Sequence, residues 1–171
     1  MEKRKILGAT LTAIVLLSSN FAEAKAYILN GKKLRNASCA TYYCASNLSQ
    51  ISSVVSIYTN KWNNCSQVNL SQTYGSSDIT LEGDLYTDTG VYANTSVNFD
   101  TQTSHVTFYQ RFLSATYSNQ SEIVVHEVGH ALGLAHCASS DVKKSVMREY
   151  GFNGKAYPLS DDKAGIATLY N

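Results

Sequence analysis

Leu48, Ile51, Val54, Val55, Ile57, Tyr58 and Trp62 recur largely at intervals of three and four, which predicts an amphipathic helix over residues 48–62. The pattern then changes. Residues 68–73 and 78–81 read as strands flanking the turn Tyr74-Gly75-Ser76-Ser77, and residues 91–99 and 105–112 read as further strands after the turn Thr87-Asp88-Thr89-Gly90. Their Thr, Val, Tyr and Phe suit a pleated surface. A long helix is expected from about Ser121, and residues 137–157 show no sustained period and read as a loop. Ser160, followed by Asp161 and Asp162, opens a last helix ending near Tyr170. Helix, several strands, helix, loop, helix describes one α+β domain. The sequence has no internal repeat and a single proline, Pro158.

The first 26 residues stand outside that pattern. Glu2-Lys3-Arg4-Lys5 precedes an uncharged, mostly apolar run over residues 6–17, which is too short for a permanent bilayer helix. Ala22-Glu23-Ala24 and Ala24-Lys25-Ala26 both offer the small-x-small pattern of a signal peptidase, so the cut is expected after Ala24 or Ala26. Residues 27–47 are polar and mildly basic, and read as an N-terminal arm or a short propeptide. Residues 48–171 form the domain proper. Losing residues 1–26 removes four basic and two acidic side chains, leaving ten basic and eleven acidic ones, a net charge of −1. That balance gives no electrostatic case for nucleic acid or an anionic membrane surface. A soluble secreted monomer, with no stable membrane association, is expected. In an oxidising compartment Cys39, Cys44, Cys65 and Cys137 are expected to form two disulfides, with three pairings open. Their spacing is a poor match to structural zinc ribbons.

The chemistry concentrates in residues 126–136, His-Glu-Val-Gly-His-Ala-Leu-Gly-Leu-Ala-His. On a helix, His126 and His130 lie four apart and project from one face, so both imidazoles can reach one ion. Glu127 is one position round, close enough to touch a ligand water without being a ligand. Gly133 can take a positive φ, end the helix and bring His136 to the same ion from another side. Three neutral nitrogens and one open position describe a catalytic zinc site. A bare H-E-x-x-H arises by chance in roughly half a per cent of chains this long; the added glycine and third histidine make accident about 500-fold rarer still.

The motif H-E-x-x-H-x-x-G-x-x-H resembles that of the metzincin zinc endopeptidases, whose second signature is a methionine turn. Ser145-Val146-Met147 follows, with Met147 eleven residues after His136. Pro158 to Tyr170, residues 54–62 and Ser77-Asp78-Ile79 are similar to the matrixin (matrix-metalloproteinase-like) family in particular. The resemblance implies a twisted mixed sheet, an active-site helix and a C-terminal helix. It also implies a zinc-dependent endopeptidase acting on protein or peptide substrates, with His126, His130 and His136 as ligands, Glu127 as general base and Met147 beneath the metal. Tyr150 and Tyr157 are candidates for stabilising an oxyanion. Intact Glu127 argues against a binding protein that keeps zinc without cleaving. The chain departs from the family pattern in four places, one of them Cys137, which stands where matrixins normally have serine. Only His105 is spare for a second, structural zinc, and it reads as an ordinary strand residue. The usual cysteine-bearing latency segment is absent, and Cys39 is expected in a disulfide and not on the metal. Arg148-Glu149-Tyr150-Gly151-Phe152 replaces the usual proline-containing wall. Calcium is admitted by the likeness, although Asp78, Glu82, Asp84 and Asp88 form no loop signature.

Overall fold

The computed structural model describes residues 27–137 and 143–171. The proposed leader, residues 1–26, lies outside the described residues. In chain order the elements are β1 (Ile28–Leu29), β2 (Thr41–Cys44), α1 (Ser52–Thr59), β3 (Ser71–Thr73), β4 (Ile79–Asp84), β5 (Ala93–Asn98), β6 (Thr103–Tyr109), α2 (Gln110–Ser114), α3 (Tyr117–Ala131), β7 (Leu134–Ala135) and α4 (Ser160–Tyr170). Short 3-10 turns flank α1 on both sides, so the run expected as one helix over 48–62 is three consecutive pieces. The reason lies in composition. Ser49, Ser52, Ser53 and Ser56 can bond their own backbone outside a helix, and Ser52 Oγ does donate to Ser49 O at 3.1 Å.

Five strands form a mixed sheet in the order β3-β2-β4-β6-β5. The first four run parallel, and β5 closes one edge antiparallel to β6, with Thr95 opposite Val106. In β6 the burial alternates, with Ser104, Val106 and Phe108 inward, the period-2 pattern of a strand with one covered face. Ile79 and Leu81 of β4 and Tyr42 of β2 continue that inner face. Val54 and Val55 of α1 and Ile123, Val124, Val125 and Val128 of α3 complete the core. Trp62 sits at its centre, fully buried, with its indole N–H donating to Val125 O of α3 at 3.0 Å.

Several sequence expectations change. The strand expected over 105–112 ends at Tyr109, where α2 begins, and the long helix starts at Tyr117, capped by Thr116 Oγ1 accepting from Asn119 N. Residues 27–47 contain two strands, and β2 is an inner strand hydrogen-bonded on both sides. Cys39, Cys44 and Cys65 form no disulfide in this structure. For Cys39 and Cys44 the reason is geometric: Ala40 is extended and β2 follows, so at about 3.3 Å per residue their Cα atoms lie more than ~10 Å apart, beyond the ~7 Å a disulfide spans. Cys65 is buried in the core, and burial pushes its thiol up to about 11. Among the described residues no helix is long and apolar enough to cross a membrane.

Candidate active site

Helix α3 carries His126, Glu127 and His130 into a cleft bounded by β5. The helix ends at Ala131 with Leu132 as its C-cap, and Gly133 takes φ +110°, a conformation that L side chains rarely adopt. A Cβ there would also collide with the Lys32 carbonyl. The reversal leads through β7 to His136. The three Nε2 atoms then lie 3.1 Å (His126 to His136), 3.0 Å (His126 to His130) and 3.0 Å (His130 to His136) apart.

Backbone carbonyls set the rings. His126 Nδ1 donates to Val146 O at 2.9 Å and His130 Nδ1 to Leu134 O at 2.8 Å, which leaves each Nε2 as an unprotonated donor atom facing the centre. Burial pushes both imidazoles down to about 4, so they are neutral near pH 7. Converging lone pairs repel one another unless a cation lies between them. A tetrahedral zinc with Zn–N near 2.0–2.1 Å keeps its ligand nitrogens roughly 3.3–3.4 Å apart, within a few tenths of the observed spacing. The donor set therefore fits zinc, and it is the one group of this kind among the described residues.

Glu127 is buried beside the histidines. Thr95 Oγ1, from β5, donates to its Oε2 at 2.6 Å and to its backbone carbonyl at 3.1 Å. Burial raises its carboxyl above the usual range, against the opposing pull of His130 and Thr95. A cavity of about 440 Å³ opens alongside, lined by His126, Glu127 and His136 together with Val91, Tyr92, Ile123, Val146 and Phe152. A second, of about 400 Å³, lies on the other side of the same residues, between β5 and Asn30 and Lys32 of the N-terminal arm.

The floor is built by residues 145–147. Met147 is buried, and Gly129 of α3 lacks the Cβ that would strike the Met147 sulfur and the Trp62 ring. Asp162, in the first turn of α4, holds this segment from below. Its carboxylate accepts from Ser145 Oγ at 2.5 Å, Val146 N at 2.9 Å and Leu159 N at 2.8 Å. Burial raises the Asp162 carboxyl, while these three donors act in the opposite sense. The wall beyond is fixed by a buried ion pair: Arg148 Nη2 donates to Glu122 Oε1 at 2.6 Å, and Glu122 also accepts from Asn153 N and Gly154 N.

The structure brings the His126, His130 and His136 nitrogens together, sets Glu127 beside them and packs Met147 against α3 at Gly129. Tyr150 borders the larger cavity but is 72% exposed, and Tyr157 is not among the residues lining either cavity. His105 stands on the outer face of β6 and pairs with Glu82 at 2.8 Å. Of the other acidic candidates, Asp78 accepts from Thr41 N, Asp84 from Thr87 Oγ1 and Asp88 from Gly90 N. Thr95, Glu122 and Asn30 went unnoticed in the sequence, and Arg148 was read only as part of the altered wall. Only Asp162 carried a local signal, as an acid in the first turn of a helix.

The sequence profile of the matrixin family matches residues 86–171, half of the chain. No curated protein matches the chain by sequence. Among solved structures, two of myroilysin resemble this fold, with TM-scores of 0.59 and 0.58 at 16% and 18% identity. They cover 84% and 82% of this chain and 98% and 86% of their own. High choriolytic enzyme 1, a hatching-enzyme zinc protease from the medaka fish Oryzias latipes, follows at a TM-score of 0.50 and 13% identity, covering 81% of this chain and 94% of its own. The α+β fold, the converging histidines and the family profile agree: the chain belongs to the matrixin family of zinc metalloendopeptidases.

Proposed function

We propose that the chain is a secreted endopeptidase that cleaves extracellular proteins, with residues 1–26 as its export leader. In this reading His126, His130 and His136 hold the zinc and Glu127 is the general base. The observation that carries it is the Glu127 carboxylate beside three converging imidazoles, in a cleft roofed by the outer edge of β5. No described strand pairs with that edge. An extended substrate can add to it as a further strand, bonded through the main chain and therefore tolerant of side-chain sequence.

When bound, zinc supplies Lewis acidity toward the scissile carbonyl and the attacking water. The chain's own residues do the rest. Thr95 occupies Glu127 Oε2, so Oε1 is the oxygen that takes the proton from the attacking water and returns one to the departing amine. Val91, Tyr92, Ile123, Val146 and Phe152 receive an apolar side chain flanking the cut bond. Of the two tyrosines considered as oxyanion donors, Tyr150 is the one on the cleft wall. The enzyme works as a monomer on protein substrates.

Incubation with casein, with and without a chelator, tests the reading. Internal cleavage that stops on chelation and returns with zinc supports it; cleavage indifferent to chelation overturns it. Glu127→Ala should keep its zinc and lose about 10²–10⁴-fold in rate. Undiminished hydrolysis in that variant would remove Glu127 from its role. Secretion is checked by N-terminal sequencing of protein from the medium, which should begin at Lys25 or Tyr27.

A further inference from the structure

The N-terminal arm is tied to the part of the chain that carries the ligands. β1 pairs with β7, Ile28 opposite Ala135 and Leu29 opposite Leu134, and Asn30 N donates to Gly133 O at 2.9 Å. The Asn30 side chain sits inside that reversal. Its Nδ2 donates to His130 O at 3.1 Å and to Leu134 O at 3.3 Å, while its Oδ1 accepts from Lys32 N at 3.0 Å.

Leu134 O is the same oxygen that receives His130 Nδ1 at 2.8 Å. One amide thus holds the carbonyl that sets the tautomer and tilt of a ligand ring, and also ties down a carbonyl in the last turn of α3. Both acceptors need an N–H, which asparagine supplies from one nitrogen. Aspartate, its isostere, would point oxygen at two carbonyl oxygens. The rest of the arm is anchored independently: Tyr27 Oη bonds Thr168 Oγ1 at 2.7 Å, and Leu34 N donates to Tyr170 Oη, which donates in turn to Leu132 O.

We propose that Asn30 is a positioning residue for the metal site, acting through the Leu134 carbonyl on His130, and that residues 27–34 are a retained part of the working enzyme and not a released propeptide. The proposal rests on the zinc reading given above.

The test uses the full 171-residue sequence carrying Asn30→Ala or Asn30→Asp. Lys33→Ala is the control, since that ammonium donates to Leu169 O and lies over the Tyr170 ring, both on α4, and touches no metal ligand. Zinc affinity is measured by competition with a chromogenic chelator, coordination by the visible spectrum of the cobalt-substituted protein, and the His130 tautomer by nitrogen NMR of the zinc-free chain. Both Asn30 variants should bind zinc about 10–100-fold more weakly. Their cobalt spectrum should shift, their NMR should show a mixed tautomer, and kcat should fall with KM retained, while Lys33→Ala stays unchanged. If Asn30→Asp does not fold, Asn30→Ala decides. Zinc affinity and cobalt spectrum within twofold of the unaltered chain would overturn the proposal, as would a lowered thermal midpoint with the metal site unaffected. An unaltered chain that binds zinc in an Asn30-dependent way but cuts nothing upholds Asn30 and defeats the peptidase reading. A chain that takes up no zinc defeats both.

Discussion

The Glu122–Arg148 pair offers a sharp energetic test, because its two halves are not equivalent. Both side chains are about 3% exposed. Arg148 is also satisfied by Ser145 O at 3.2 Å and Gly151 O at 3.0 Å, whereas Glu122 is the acceptor for two backbone amides besides the guanidinium. Removing one member of a buried pair typically costs about 3–5 kcal/mol. Glu122→Ala strands a buried cation and also removes the acceptor of the part-buried Asn153 and Gly154 amides, each a hydrogen bond worth about 0.5–1.5 kcal/mol net. It should therefore reach or exceed the top of the range. Arg148→Ala leaves the carboxylate with its amide partners and should lie nearer ~3 kcal/mol. The double variant Glu122→Leu/Arg148→Met removes both charges and should recover most of the loss, because apolar replacements of buried pairs are often neutral. Its wall over residues 148–154 is no longer pinned, so selectivity for the side chain entering the larger cavity should broaden even where stability returns. Urea unfolding at fixed zinc gives the free energies, and a peptide series varied beside the cut bond gives the selectivity. A Glu122→Ala cost below about 1 kcal/mol would refute the assignment. So would a double variant as unstable as the worse single one.

Zinc removal should lower the thermal midpoint as well as stop cleavage, and the midpoint should climb with added zinc, which calorimetry across a zinc series would show. Gly133→Ala should cost about 1–3 kcal/mol for its positive φ alone, with a further loss from the collision with Lys32, and zinc affinity should fall alongside stability; an unchanged denaturation curve would contradict the turn. Maleimide labelling of the native chain should mark exposed Cys39 well before buried Cys65, with Cys65 reacting only in denaturant, as mass mapping would reveal.

What could be read from the sequence was the part written in local spacing. His126, Glu127, His130, Gly133 and His136 fall within one helix and its stop, so period 3.6 and one permissive residue were enough to assemble them. The alternating β6 and the acid-led α4 were legible for the same reason. What failed was non-local. β2 is four residues long and holds an inner position only because β3 and β4 flank it, a fact no window of neighbouring residues contains. The helix expected over 48–62 broke up because its serines favour local backbone bonds that an apolar count ignores. Thr95 reaches Glu127 across 32 positions and Asn30 reaches His130 across 100, so neither carried a motif. The cysteine count anticipated bridges, but the extended course from Ala40 through β2 keeps Cys39 and Cys44 too far apart.

The β1–β7 pairing also sets an order of events in folding. It joins Ile28 to Ala135, so a chain growing from its N-terminus carries its first strand unpaired until almost four-fifths of its length exists. The Tyr27 and Leu34 anchors need α4 and so wait longer still. Contacts of such separation have a high loop-closure cost and form late. The sheet around β4 and β6 can assemble before them, with the ligand turn still loose. In this fold, then, a nascent molecule would acquire its structure well before it acquires a firm grip on its metal, and a chain truncated short of α4 would be a folded-looking body without a competent centre.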